Sequence, residues 1–406
     1  MLLKILNDNG SIKQYEINPT LFCDKQYQHK VSYIASSKKE ENALNIFKSY
    51  FSNAKSILFD HTNKAIVQQL LELNIKEFNE AYDTDNIFND KDFSFVYFTS
   101  GSTGFPIGAL KTKENILSEI KVLSSLINTM HSINKVIVTV PFIHFYGSLM
   151  GLFFPLFNNI DIILKEHFLP NDLLNIIDDN SLVVTTPLYI KALNQLSDSK
   201  NLSQSLFISS TAPLLKEDAS MFKTKFSTNI IQIFGSTETG GIAYKINDES
   251  LWTPLKEVIP SSNEHNELKV KSPFISEFVF EKEFKHTHQE LQTFDYVEFE
   301  KEKFNLIGRS SQILKVAGKR YSTVQIEHIL EQVEGIQKAL VFVNSSNDTL
   351  KDEVLDIVLE SKKLFLVKDI RAILQKELSN IKFSIILKIV DSIPTSSVGK
   401  KLKIKH

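Results

Sequence analysis

Between residues 135 and 235, short apolar runs alternate with amphipathic ones, and few folds accept that pattern. "KVIVTVP", "SLVVTTP", "SLFISS" and "NIIQIFG" read as buried strands. "PNDLLNIIDD", "PLYIKALNQL" and "LKEDASMFKTKF" have helical apolar spacing, and Pro170 stands near the start of the first. Strands separated by helix-length segments need crossover connections, which build a sheet with helices on its faces. Upstream, "DNG" between short apolar runs predicts a hairpin, and "SILFD" a buried strand between the helical patterns "ENALNIFKSYF" and "NKAIVQQLLELNI". "TKENILSEIKVLSSLI" predicts an amphipathic helix with Thr112 as its N-cap. The fold class is therefore α/β, with mixed and parallel sheets joined by crossover helices.

From about residue 308 the pattern changes. "ILKVAGKRYS", "QKALVFV", "VLDIVLE" and "SIILKIV" read as strands, and "TVQIEHILEQV" and "LVKDIRAILQKEL" as helices. This predicts a small α+β C-terminal domain over 308–406, after a large N-terminal domain over 1–307. The chain of 406 residues carries 46 basic and 48 acidic side chains, so no global field points to nucleic acid or an anionic membrane. Cys23 is the only cysteine, which excludes an internal disulfide or a cysteine-rich metal site and suits a reducing, cytoplasmic setting. The start turns polar too soon for a signal peptide, and "GSLMGLFFPLF" is too short to span a bilayer.

The candidate chemistry begins at "FTSGSTGFPIG", residues 98–108. A strand, a small hydroxyl-rich loop and a helix make a phosphate cradle. Glycines let the backbone approach, and N–H and hydroxyl groups donate without bulk. No lysine follows Gly104 or Gly108 as in a Walker A loop, and a flexible surface turn is the alternative. "QIFGSTETGG" sets Gly235, Ser236, Thr237 and Glu238 after a buried-strand pattern, where a carboxylate can hold Mg2+ and a threonine can reach phosphate. Taken alone, it also reads as a helix N-cap box. Asp295 in "QTFDY" suits ribose hydroxyls, or is a solvated turn aspartate. Arg309 in "GRSSQILKVAGKR" suits ribose or phosphate, or a surface ion pair. Lys400 in "IPTSSVGKKLKIKH" stands in a glycine-preceded loop or a solvated basic tail.

In this order, these motifs and "SSTAPL" at 209–214 resemble the adenylate-forming superfamily: acyl- and aryl-CoA synthetases, peptide-synthetase adenylation domains and luciferases. The resemblance covers roughly residues 90–406. It implies an AMP-forming ligase using ATP and Mg2+. A carboxylic acid would be activated to acyl-AMP, then passed to a thiol of CoA or an acyl carrier protein. It implies that Thr99, Ser100, Gly101, Ser102, Thr103 and Gly104 wrap the β- and γ-phosphates, and that Ser210, Thr211 and Ala212 lie on the adenine side. Thr237 would contact phosphate, Glu238 would coordinate Mg2+, and Asp295 with Arg309 would hold the ribose. Lys400 would bridge the carboxylate and α-phosphate, then leave as the small mobile domain rotates about a hinge near 309–312, with Ser311 at the usual hinge position and Gly318 approaching.

Two departures from the family stand out. Ile107 replaces a lysine common in relatives, and the segment before the phosphate loop is short. "PFIHFYGSLMG" would line the acid pocket, with His144 and Tyr146 near its wall and Gly147, Gly151, Gly240 and Gly241 leaving room. His144 reads equally as a core histidine. Apolar and aromatic walls suit an aryl or fatty acid, as in short aryl-polyene-type ligases. An amine acceptor, or a non-catalytic nucleotide or acyl-adenylate binder, are the alternatives.

Overall fold

The computed structural model describes residues 1–80, 85–99, 107–309, 313–316, 319–345, 353–377, 384–395 and 401. By compactness the chain divides into two units, Met1–Pro260 with Val270–Leu291, and Ser261–Lys269 with Gln292–His406.

The first unit holds the predicted crossover sheet. Lys135–Val138, Ser181–Thr185, Leu206–Ser209 and Asn229–Ser236 run side by side and parallel, with Ser209 level with Thr185 and Gln232. Asp161–Leu164 adds another parallel strand, and the Leu2–Leu6/Ile12–Glu16 hairpin joins beyond it. Helices Pro170–Ile176, Pro187–Asn194 and Lys216–Phe226 provide the crossovers. Their apolar faces meet the sheet through Leu173, Ile190, Phe222 and Phe226, packed on Phe207 and Val183. Phe207 and Phe222 meet edge to face at 4.8 Å. Each such fully buried side chain contributes about 1.5–3 kcal/mol.

A second, six-stranded sheet runs from Val31–Ile34 through Lys55–Leu58, Phe95–Thr99 and Ile107–Lys111 to Phe278–Phe280 and Phe284–His286. Here the structure corrects one expectation. The loop after Phe95–Thr99 does not lead straight into a helix. It returns as an antiparallel strand, with Thr99 level with Ile107 and Phe95 level with Lys111. The short run after Gly108 pairs with the preceding strand before Thr112 caps helix Lys113–Asn128 in a full capping box. A helix dipole therefore does not begin at the loop.

The second unit contains the small α+β body foreseen from the pattern. Strands Lys338–Ser345, Glu353–Glu360 and Ser384–Val390 form a three-stranded sheet. Helices Thr323–Glu331 and Val367–Glu377 pack on it through Ile326, Leu330, Ile370 and Leu374. "ILKVAGKRYS" forms two strands, Ile313–Val316 and Lys319–Ser322, rather than one. The unit also takes in the long pair Glu290–Glu300 and Lys303–Arg309, so compactness does not follow a single cut at 308. Ser311 and Gly318 lie outside the described residues.

Lys401 ties the end of the chain to this body. Its ammonium donates to Glu327 Oε2 at 2.8 Å, Glu331 Oε1 at 2.6 Å and the Ala339 carbonyl at 2.7 Å. Removing one partner of a half-buried charge cluster leaves the others uncompensated. Lys401→Met is expected to cost about 2 kcal/mol, read as a lower urea midpoint, with Lys401→Arg recovering most of it. A parent-like midpoint for Lys401→Met would refute the anchor.

Candidate active site

The crossover strands end on a common edge, so the segments following them gather there. Ser210, Thr211 and Ala212 follow Leu206–Ser209, and Thr237 and Glu238 follow the adjacent strand Asn229–Ser236. The Ser210 hydroxyl donates to the Ile233 carbonyl at 2.9 Å, linking the two segments. Thr211 is exposed and has φ +80°. A β-branched residue pays roughly 1–3 kcal/mol for that conformation, a strain that gathers at ligand-binding positions.

No helix follows Ser236, so the N-cap alternative for this motif falls. The chain turns into the antiparallel strand Gly240–Ile246, and Thr237 and Glu238 occupy the tip of a hairpin. Ser236 and Thr239 lock the tip: Ser236 N–H donates to Thr239 Oγ1 at 2.9 Å, and Thr239 Oγ1 donates to the Gly240 carbonyl at 2.8 Å. Gly235 is required here because a Cβ would lie 2.2 Å from the Gly240 carbonyl oxygen. Thr237 and Glu238 are half-buried. The Glu238 carbonyl accepts from Ser276 N–H at 2.9 Å, while its carboxylate makes no hydrogen bond or ion pair among the described residues.

Two side chains beneath this hairpin have no counterpart in the sequence reading. Lys111 is 0 % exposed and donates to the Phe274 carbonyl at 2.6 Å and the Glu238 carbonyl at 3.2 Å. Glu119 is 2 % exposed and accepts the Gly241 N–H at 2.7 Å through Oε1. Its Oε2 has no hydrogen-bond partner among the described residues. Burial pushes Lys111 down and Glu119 up, each opposed by the other's charge, with the Glu238 carboxylate also raising Lys111. The signal for Glu119 was present in the sequence: it sits within the buried stripe of Ile116, Ile120, Leu123 and Ile127. Lys111 shares a strand face with Ile107 but stands four residues away, about 13 Å at strand spacing, so it does not replace the cation absent there.

The acid-pocket residues are committed in specific ways. The Tyr146 hydroxyl donates to the Ile208 and Thr185 carbonyls at 2.8 and 3.1 Å, bracing the strand ends. Burial pushes the His144 imidazole below its usual range, against the pull of Asp60. A Cβ on Gly147 would lie 2.0 Å from the Pro141 carbonyl oxygen, and one on Gly151 2.9 Å from Val138 and Phe142. A Cβ on Gly240 would meet Glu119 at 2.5 Å, and one on Gly241 would meet Leu255 at 2.8 Å. Protein atoms fill the Cβ side of all these glycines, so close packing accounts for their identity.

In the second unit, Asp295 is 6 % exposed within Glu290–Glu300, level with Arg309 on the paired strand. It is neither in a turn nor solvated. Arg309 Nε lies 3.3 Å from Asp295 Oδ1, so the structure pairs these residues with each other. Thr99 ends its strand half-buried. Ser100, Gly101, Ser102, Thr103, Gly104 and Lys400 lie outside the described residues.

Comparison with known proteins decides the family. The model of the AMP-binding enzyme family matches residues 22–273. The chain belongs to this family. It is thereby a member of the adenylate-forming superfamily. The chain is 25% identical over 334 residues to a putative long chain fatty acid-CoA ligase, VraA, of Staphylococcus epidermidis, covering 78% of this chain and 72% of that one. It is 23% identical over 249 residues to a 4-coumarate–CoA ligase of Cereibacter sphaeroides, covering 61% of this chain and 56% of that one. The chain thus spans little more than half of the second relative's length. The fold is similar to o-succinylbenzoate coenzyme A synthetase (MenE) from Bacillus subtilis, solved with ATP and magnesium ion: TM-score 0.76, 14% identity, 98% of this chain and 94% of that one. Among the described residues, no helix is long and apolar enough to cross a membrane.

In this AMP-binding enzyme a further, half-buried lysine, Lys39, lies beside the end of strand Lys135–Val138. It donates to the Thr139 carbonyl at 3.1 Å, and its backbone N–H is capped by Glu166. Burial lowers Lys39 from the ordinary 10.5 to about 8. A lysine depressed in the folded state contributes stability when deprotonated, so folding should strengthen as pH rises from about 8 towards 10.5. The full span is worth roughly 3 kcal/mol. Urea melts across that range should lose this slope in Lys39→Met. An unchanged slope would remove Lys39 as its source.

Proposed function

We propose that this enzyme activates an aryl or fatty acid as acyl-AMP and passes the acyl group to the thiol of CoA or an acyl carrier protein. A carboxylate oxygen of the acid attacks the α-phosphorus of ATP, and pyrophosphate leaves. The thiol then attacks the acyl carbon, AMP leaves, and the thiol proton goes to solvent. The observation that carries this reading is the hairpin tip at 237–238 beside Ser210–Ala212, on one edge of a parallel sheet, in a chain of the AMP-binding enzyme family.

Each residue's role follows from its chemistry. The Thr237 hydroxyl is suited to donate to a phosphate oxygen. Glu238 offers a carboxylate that, among the described residues, makes no hydrogen bond or ion pair and is felt electrostatically by Lys111. One carboxylate with phosphate oxygens is a hard oxygen donor set, which fits Mg2+ delivered with a nucleotide rather than held in an all-protein cage. Among the described residues there is no cluster of three or more acidic, histidine or cysteine side chains to form such a cage. When bound there, Mg2+ supplies positive charge against the phosphates. Asp295 is the acceptor for ribose hydroxyls, with Arg309 holding its carboxylate in place. Relatives named as fatty acid and 4-coumarate ligases support an acyl or aryl substrate.

ATP–pyrophosphate exchange with a panel of aryl, fatty and amino acids tests the reading. Exchange that depends on one aryl or fatty class supports it; exchange only with amino acids would overturn the substrate class. Asp295→Ala should raise the KM for ATP roughly tenfold through a lost charge-assisted hydrogen bond, with little change in the KM of the acid. An unaltered KM for ATP would remove Asp295 from the nucleotide site.

A further inference from the structure

Lys111 and Glu119 are costly to bury, and both spend their hydrogen bonds on backbone around the hairpin tip. Lys111 holds the carbonyl of Glu238 itself, together with that of Phe274. Glu119 holds the N–H of Gly241, three residues further on. Ser276 N–H takes the Glu238 carbonyl as well. Glu119 Oε2 is seated where a Cβ on Gly240 would stand, 2.5 Å from that position. The segment bearing Glu238 is therefore fixed at Glu238 and again at Gly241. Two apolar residues would pack this space without the desolvation penalty of a buried lysine and glutamate. Side chains that orient a metal ligand are a recurrent reason for tolerating such a penalty.

We propose that Lys111 and Glu119 are positioning residues that set the backbone from which the Glu238 carboxylate meets the Mg2+–ATP complex. The inference rests on the metal role proposed above for Glu238. They act through the turn, and neither is assigned a contact with substrate. Ionic charge matters here because an ammonium holds two carbonyls at once, and a carboxylate takes an N–H more strongly than a neutral acceptor does.

The test is calorimetric titration of the full chain with ATP at a series of Mg2+ concentrations, with no acid present and no turnover. In Lys111→Met/Glu119→Gln, the Mg2+ concentration giving half of the gain in ATP affinity should rise roughly tenfold or more. ATP affinity without Mg2+ should stay at the parent value. A purely structural role would lower the thermal midpoint and leave the Mg2+ curve in place. A parent-like Mg2+ curve in the folded double variant, with its native circular dichroism intact, overturns the proposal. If that variant does not fold, Glu119→Gln alone keeps an acceptor for Gly241 N–H and removes only charge. It should shift the curve in the same direction by less, and a parent curve overturns the proposal there too. Glu238→Gln separates the two layers. If it leaves the Mg2+ curve unchanged, the metal role of Glu238 fails and this inference goes with it. If it shifts the curve while the pair variants do not, only the positioning role fails.

Discussion

Lys400→Ala is expected to lower ATP–pyrophosphate exchange by roughly 10²–10³-fold, while thioester formation from supplied acyl-AMP stays near the parent rate. The first half-reaction brings a carboxylate to a triphosphate, so two anions must share a small space. A cation placed where negative charge develops lowers that barrier directly. The second half-reaction starts from a neutral acyl carbon and a thiol, and needs no cation between carboxylate and phosphorus. Ile107 sharpens the expectation. The proposed phosphate loop carries Ile107 where the family resemblance implies a lysine, and the buried Lys111 holds backbone carbonyls. On the proposed role, Lys400 is then expected to bear more of the neutralisation. Both rates should be measured in one preparation with the same acyl group. Equal loss in both would indicate damage to the C-terminal unit, and exchange at the parent rate would show that the terminal motif has been misassigned.

Gly147→Ala should cost about 3 kcal/mol of stability or leave the protein unfolded. A Cβ there would stand 2.0 Å from the Pro141 carbonyl oxygen, and the obstacle is backbone rather than a side chain that can swing away. The same turn is tied by the Ser148 hydroxyl, which donates to the Phe142 carbonyl, and by the Tyr146 hydroxyl on the Ile208 carbonyl. Relief would have to move 141–148 as a block, along the sheet edge where the candidate site lies. Gly10→Ala is the comparison. Gly10 has φ +81° but nothing within 4 Å of a Cβ, so only the left-handed backbone is penalised, by about 1 kcal/mol. Urea denaturation of the two variants side by side decides the matter. Equal midpoints would mean that the close approach at Gly147 is not rigid.

The α/β class, the crossover strands between 135 and 236 and the small C-terminal body were legible because periodicity reports burial, and long repeated patterns average out local exceptions. The region 237–309 was not. Strands such as Glu267–Lys271 and Lys303–Arg309 alternate charged and apolar residues over short spans, which reads as loop until a neighbouring strand is known. The Ile107–Lys111 strand was hidden for a related reason: its pairing depends on the return of a hairpin, not on its own five residues.

At the site, residue identity and order came from the sequence, while commitment came from contacts. The sequence by itself determined which chemical groups the chain owns and its membership of the AMP-binding enzyme family, since both are properties of covalent order. Tertiary structure decided that Asp295 is buried against Arg309, that Thr237 and Glu238 cap a hairpin, and that a lysine and a glutamate lie beneath it. Burial and hydrogen-bond partnership arise between residues distant in the chain, Glu119 and Gly241 being 122 positions apart. No local pattern encodes which distant backbone group will take up a buried charge.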